Sequence, residues 1–229
     1  MRVFHEGTMR RSFARMLLLP AVAAACLAGE ARAQNRDAAW EVFPYVGVVR
    51  PGSDSHIDNF LPTGEAAAIH LDSSASWGLR FGYHFTKQQM IEYAFGGNGT
   101  SGKASVIGTS TSKAADFNAD TFTGQVNYVY NFFLHHRDKI VGYVTGGAGV
   151  LNFSTFGQST DPDLQIALNK LVGDENDLLW DYGAGMRFFK GEKAGLRIDL
   201  RQVHYTSKGR GDLDYIEATV GLTFILGGA

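Results

Sequence analysis

Trp77-Gly78-Leu79-Arg80-Phe81-Gly82-Tyr83-His84-Phe85 places a large apolar or aromatic residue at every odd position and Gly, Arg or His at every even one. Successive side chains of a strand point to opposite faces, so this segment carries one greasy face and one small or charged face. The same chemistry recurs downstream. Phe122, Val126, Tyr128, Tyr130 and Phe132 alternate with Thr121, Thr123, Gln125, Asn127 and Asn131. Trp180, Tyr182, Ala184, Met186 and Phe188 alternate with Asp181, Gly183, Gly185 and Arg187, and Leu196, Ile198 and Leu200 with Arg197, Asp199 and Arg201. A single such segment suits a half-buried strand of a soluble protein. Several of them, with Arg, Asp, Glu and Gly on one face and Phe, Tyr, Trp and Leu on the other, predict a barrel turned inside out, apolar towards lipid.

The pattern predicts eight strands, at 40–49, 75–85, 88–97, 120–133, 140–153, 178–189, 194–204 and 213–226. Most reach the nine to eleven residues that a tilted strand needs to cross a bilayer. The connections between them alternate. Those at 50–74, 98–119 and 154–177 are long; those at 86–87, 134–139 and 190–193 are short and polar, and 205–212 is intermediate. Tight turns at one barrel end and surface loops at the other account for that alternation. An even strand number leaves both chain ends on one side, and closure removes the unpaired edges that lipid cannot satisfy. The predicted fold is therefore all-β: an eight-stranded antiparallel up-and-down transmembrane β-barrel. Trp77, Trp180 and Tyr215 are expected to girdle one rim, and Phe85, Phe132, Phe188, Phe189 and Phe224 the other. Within the third long loop, Asp161-Pro162-Asp163-Leu164 through Val172 reads as a short amphipathic helix, with Asp161 as cap and Pro162 in the first turn.

The N-terminus reads as an export signal. Arg10, Arg11 and Arg15 precede the apolar run Met16 to Leu27, and Ala31-Arg32-Ala33 before Gln34 has the small-x-small form of a cleavage site. Residues 1–33 are thus expected to be a signal peptide and 34–229 a barrel domain in the outer membrane of a Gram-negative-type bacterium. The sole cysteine, Cys26, lies in that signal, so cleavage removes disulfide, zinc-thiolate and thiol chemistry from the mature chain. Ala23-Ala24-Ala25-Cys26 also resembles a lipid-attachment box, without the usual bulky residue three before the cysteine. After cleavage 16 basic and 21 acidic residues remain, a balance that argues against a nucleic-acid partner. No later stretch is apolar enough to cross a bilayer as a helix.

Three segments carry a resemblance. Trp40-Glu41-Val42-Phe43-Pro44-Tyr45-Val46-Gly47, Tyr143-Val144-Thr145-Gly146-Gly147-Ala148-Gly149 and Gly195-Leu196-Arg197-Ile198-Asp199-Leu200-Arg201 look like the first, a middle and the seventh strand of small outer-membrane barrels. Nearly all of the mature chain resembles the OmpA-like, porin-family eight-stranded superfamily. The resemblance implies that Thr219, Gly221, Phe224 and Leu226 in the closing strand form the signal read by the outer-membrane assembly machinery. The chain departs from that pattern in placing Gly227-Gly228-Ala229 after Leu226 instead of an aromatic, and the anchoring role of family members with a peptidoglycan-binding domain is not expected.

An eight-stranded barrel is just wide enough for side chains to fill. The inward residues Arg80, His84, Glu92, Gln125, Asp181, Arg187, Arg197, Asp199, Arg201 and Glu217 are therefore expected to form a packed ionic network, since buried charges are tolerable only when paired. The narrow radius favours filling over a solute path. The expected function is non-catalytic: envelope structure or surface interaction through the long loops, without cofactor or metal. Expected partners are outer-membrane lipid, lipopolysaccharide, the assembly machinery and an unidentified surface ligand. Two other readings stand beside it. One is a lipid A-modifying barrel enzyme using His204-Tyr205-Thr206-Ser207 with Glu217. The other is a soluble periplasmic lipocalin-like binder with its greasy face turned inward. His135-His136 reads as a turn, and Asp174-Glu175-Asn176-Asp177 lacks the glycine and closing Glu of a calcium loop. Arg210-Gly211-Asp212 is a common turn composition, and Gly146-Gly147-Ala148-Gly149 has no following helix to cradle a nucleotide.

Overall fold

Alternating side-chain chemistry becomes ten strands: β1 Ala39–Pro51, β2 Ser55–Ile57, β3 Ala66–Leu71, β4 Ser74–His84, β5 Gln89–Ile107, β6 Ser112–Phe133, β7 Ile140–Phe156, β8 Asp177–Phe189, β9 Ala194–Ser207 and β10 Gly211–Gly227. They are seen in a computed structural model that describes residues 37–52, 55–57, 66–107, 112–133, 139–156, 165, 176–191, 193–207 and 211–227. Eight long strands pair antiparallel with their neighbours in the ring β1-β4-β5-β6-β7-β8-β9-β10, and β10 closes onto β1 from Ala39↔Gly227 to Pro51↔Tyr215. Closure pairs every membrane-crossing strand on both sides, as a bilayer demands of backbone N–H and C=O groups. The short β2 and β3 lie in the first long connection. β3 runs along the far end of β5, from Ala66↔Ile107 to Leu71↔Gly102, and β2 pairs with β3.

The expected alternation is plain in β4. Trp77 is 61% exposed and Phe85, just past its end, 50%, whereas Arg80 and His84 are 2% and 1% exposed. Outward-facing Val46, Phe95, Val126, Val144, Met186, Leu200 and Val220 continue the apolar belt around the ring, with Trp180 at its upper rim. No described helix is long and apolar enough to cross a membrane, so the belt belongs to strands.

The connection expected at 98–119 is not a loop. β5 runs on to Ile107 and β6 begins at Ser112, so the two strands pair far beyond the belt, from Asn98↔Thr121 up to Ile107↔Ser112. Its composition of Gly, Ser, Thr and Asp suggested a loop because the polarity of the strands inverts there. Along the belt β6 shows Phe122 and Val126 outward; beyond it Asp116, Asn118 and Asp120 face out while Phe117 and Ala119 are buried. β9 inverts in the same way, with Leu196, Ile198 and Leu200 outward below, and Gln202, His204 and Thr206 outward above. Above that line an outward side chain meets water, and the ordinary apolar-in, polar-out rule returns.

The inverted region builds an apolar mouth from Ala104, Phe117, Ala119, Leu151, Phe153, Leu179, Val203, Tyr205 and Leu213, with Leu71 and Tyr215 packed against it. At the opposite end, Ala39, Val141, Phe189 and Ile225 form a second apolar layer. Two girdle assignments are therefore corrected, since Tyr215 and Phe189 point inward, one to each layer; Phe224 shares the outward parity of Leu222 and Leu226 but is covered, at 8% exposure. The signal peptide expected at 1–33, with Cys26 and the 33/34 boundary, and the His135-His136 pair lie outside the described residues. So does the helix predicted at 161–172, apart from Gln165, which is helical.

Candidate functional site

Between the two apolar layers the lumen holds an ionic cluster. Strand parity supplies it: Arg197, Asp199 and Arg201 are alternate residues on the inner face of β9, and Arg80 with His84 on that of β4. Glu92 comes from β5, Asp181 and Arg187 from β8, and Glu217 from β10.

Asp199 is the hub of its outer half. Its Oδ2 accepts from Arg80 Nη1 at 2.8 Å and from Arg197 Nη2 at 2.9 Å, and its Oδ1 from Arg201 Nε at 2.8 Å. The Tyr143 hydroxyl also donates to Asp199, and it accepts from Arg197 Nε at 2.9 Å. Arg201 reaches Glu92 at 2.7 Å and Asp181 at 3.1 Å, and Arg197 pairs with Glu92 at 2.7 Å. Arg80 reaches Glu217 at 3.2 Å.

Glu41 is the hub of the inner half, and the inward set drawn from the sequence omitted it. Its Oε1 accepts from Arg187 Nε at 2.9 Å, Arg197 Nη1 at 3.0 Å and Thr223 Oγ1 at 2.9 Å. Its Oε2 lies 3.0 Å from His84 Nε2. Arg187 also donates to Asn131 Oδ1 at 2.8 Å. The signal was available, because Glu41 is a lone charge between Trp40 and Val42, which face outward. Tyr143, Asn131 and Thr223 were missed as well, since nothing in a polar neutral residue marks it as a network member.

Aromatic faces hold the guanidinium groups from the sides. Arg197 lies 4.6 Å from the Phe43 ring and 4.8 Å from that of Tyr143, Arg187 4.2 Å from Tyr143, and Arg80 4.4 Å from Tyr45. Glycines make room for these rings. A Cβ at Gly185 would collide with the Tyr143 hydroxyl, and one at Gly78 or Gly96 with that of Tyr45.

Each charge in the network is spent on another charge. Four arginines meet five carboxylates with nearly every guanidinium edge engaged, so the lumen carries a cross-linked plug between apolar layers. Of the expected interior set, Arg80, His84, Glu92, Asp181, Arg187, Arg197, Asp199 and Arg201 are buried and joined, while Glu217 is half-buried and joined through Arg80. Gln125 is half-buried on β6.

The rim residues considered for lipid chemistry are not brought together. His204 faces outward, stacked 4.1 Å from Trp180, with Nδ1 2.6 Å from Asp214 Oδ1. Glu217 faces the lumen and pairs with Arg80. The Ser207 side chain lies outside the described residues. Gly146, Gly147 and Gly149 are mid-strand in β7. Among the described residues no group of three or more His, Cys, Asp or Glu is placed to hold a metal ion. Thr219 faces the lumen, and Leu226 the outside, in the β10 strand that seals the ring against β1; Gly221 and Phe224 lie between them.

The model of the outer membrane protein β-barrel domain matches residues 17–225 of the chain. Among solved structures, the outer membrane protein OprG from Pseudomonas aeruginosa is similar with a TM-score of 0.58 and 12% identity, over 85% of this chain and 98% of that one. The outer membrane protein AlkL, determined by solid-state NMR in DMPC lipid bilayers, is similar with a TM-score of 0.53 and 14% identity, over 88% of this chain and 96% of that one. No curated protein sequence matches the chain. Identities this low speak for a shared fold.

Proposed function

The chain belongs to the outer membrane β-barrel domain family, and from that premise we propose that it is a filled, non-conducting and non-catalytic envelope barrel that acts at its outer end. The carrying observation is the inversion of strand polarity. Below it the lumen is plugged by ion pairs; above it β5 and β6 continue as a paired hairpin with Ser101, Lys103, Asp116 and Asn118 turned to solvent. A barrel that spends its interior charges on one another has no continuous water path. What it offers the environment is a rigid, polar extension of the sheet, so envelope support and surface interaction are the roles this design fits. In this reading residues 1–33 direct export and are removed after Ala33. The closing strand, with Thr219, Gly221, Phe224 and Leu226, is presented to the assembly machinery, and outer-membrane lipid and lipopolysaccharide surround the belt.

Planar-bilayer recording on the refolded protein, with a boiled-against-unboiled gel as the check on folding, tests the reading. A heat-shifted protein without steady conductance is expected. A stable open channel from the unaltered chain would replace the surface role with a transport role. Intact-mass analysis of the membrane-extracted protein reads the N-terminus, which is expected at Gln34.

A further inference from the structure

At the end that holds Ala39 and Gly227, the described residues carry a ring of lysines. Lys87 lies in the β4–β5 turn, Lys139 in the β6–β7 turn, and Lys190 with Lys193 in the β8–β9 turn, so every hairpin turn at this end contributes. Lys87, Lys139 and Lys190 are exposed. Among the described residues Asp37 is the only carboxylate at this end outside the lumen, and none of the four lysines pairs with a described carboxylate; the sequence adds Arg137 and Asp138 to the β6–β7 turn and Glu192 to the β8–β9 turn. The opposite end differs: exposed Asp72, Asp116, Asp120 and Asp214 there face only Arg50 and Lys103 as exposed cations among the described residues.

The lysines are fixed in height by their own backbones. Phe189 N donates to Lys139 O at 2.7 Å, Ile225 N to Lys193 O at 2.7 Å, and Asn131 Nδ2 to Lys87 O at 3.2 Å. Directly beside Lys87 lies an aromatic strip. The Trp40 and Tyr83 rings are 5.0 Å apart, those of Tyr83 and Phe85 5.4 Å, and Phe85 is two residues from Lys87. Aromatics of this kind mark the depth of lipid headgroups. A lysine on a tight turn beside them ends within the headgroup layer, its stem along the apolar edge and its ammonium among headgroups.

We propose that this collar binds the anionic headgroups of the membrane leaflet on the terminal side, that is, acidic phospholipids of the periplasmic-facing leaflet. Short turns keep the ammonium groups at headgroup depth, which favours lipid over a periplasmic protein or the cell-wall polymer. The charge asymmetry between the two barrel ends fixes which leaflet is engaged. The proposal rests on membrane insertion and is independent of any surface role.

Spin-labelled phosphatidylglycerol and phosphatidylcholine, each added at trace level to phosphatidylcholine bilayers containing the full chain, provide the test by electron spin resonance. The motionally restricted fraction is expected to prefer the anionic probe by about 5-fold, the worth of one engaged lysine. The preference should collapse in molar salt, where the screening length is about 3 Å. It should approach parity when Lys87, Lys139, Lys190 and Lys193 are all changed to Gln, but persist when Lys103→Gln alters the other end. Equal restriction of both probes by the unaltered protein would overturn the proposal, and so would an unchanged preference in the fourfold variant. Equal loss with Lys103→Gln would reduce the effect to net charge and overturn it too. A heat-shift gel on each sample separates failed insertion from failed recognition, and the salt titration of the unaltered chain stands if the fourfold variant does not fold.

Discussion

Arg201 and Val203 are successive inward residues of β9, and the boundary between a charged and an apolar lumen runs between them. Arg201 is bound by Asp199, Glu92 and Asp181, whereas Val203 belongs to the apolar mouth. Their outward neighbours change in the opposite sense at the same height, from Leu200 to Gln202 and His204. On β10 the boundary falls between Glu217, paired with Arg80, and Tyr215, packed on the mouth. One physical cause explains both faces. Where lipid lies outside, the polar groups have only the lumen to occupy; where water lies outside, burying apolar surface in the lumen is again favourable. The inversion therefore marks the upper limit of the hydrocarbon.

The boundary predicts a depth-dependent response on one strand face. Ile198→Lys places an ammonium near the middle of the belt on β9 and is expected to cost about 2–4 kcal/mol, while Thr206→Lys, four outward positions higher on the same strand, is expected to cost about 0–1 kcal/mol. Denaturant titration of folded protein in vesicles measures both. Equal costs would remove the boundary from between these positions.

Glu41 takes hydrogen bonds from Arg187, Arg197 and Thr223 and pairs with His84. Glu41→Leu leaves those donors buried without their acceptor, and a loss of about 3–5 kcal/mol is expected, as for other broken buried pairs. Adding Arg187→Met removes one stranded charge, so the double variant should be more stable than Glu41→Leu alone. A double variant whose loss equals the sum of the singles would show that the two residues are not coupled.

Much of this architecture was legible because period-2 alternation is a strong signal when the two faces differ as much as Phe81 and Arg80 do. The ring of eight strands and most inward charges follow from it. The extension of β5 and β6 was illegible for a physical reason: at Ser101-Gly102-Lys103-Ala104 the apolar face has shrunk to Gly and Ala, and Phe117, which pairs with Gly102, is fifteen residues away in sequence. The rule that served the belt also fails there, since the meaning of an outward residue reverses. Tyr215 and Phe189 were misplaced for a similar cause: an aromatic near a strand end suits a girdle or a lumen layer equally, and only its parity within a known register decides.

Phe117 anchors the extension to the mouth and is 3% exposed. Phe117→Ala is expected to cost about 3–5 kcal/mol locally, without disturbing the ionic layer below. Hydrogen exchange should rise at the Gly99–Ile107 amides and stay unchanged at those of Arg197 to Arg201, with the heat-shifted band retained. Faster exchange along the whole of β9 would mean that the mouth and the barrel unfold as one unit.

Tyr143 and Gly185 provide a further test, because ring and glycine occupy the same place. A Cβ at Gly185 would overlap the Tyr143 hydroxyl, the group that bridges Asp199 and Arg197. Gly185→Ala is thus expected to displace the hydroxyl and to cost about 1–3 kcal/mol through overpacking. Tyr143→Phe alone removes the same bridge and strands buried acceptor capacity on Asp199, for a loss of about 1–3 kcal/mol. Combined, the two changes remove one interaction instead of two, so the double variant should lose clearly less than the sum of the singles. Strict additivity would mean that the ring moves aside without surrendering its hydrogen bonds, and the glycine would then serve only the backbone of β8.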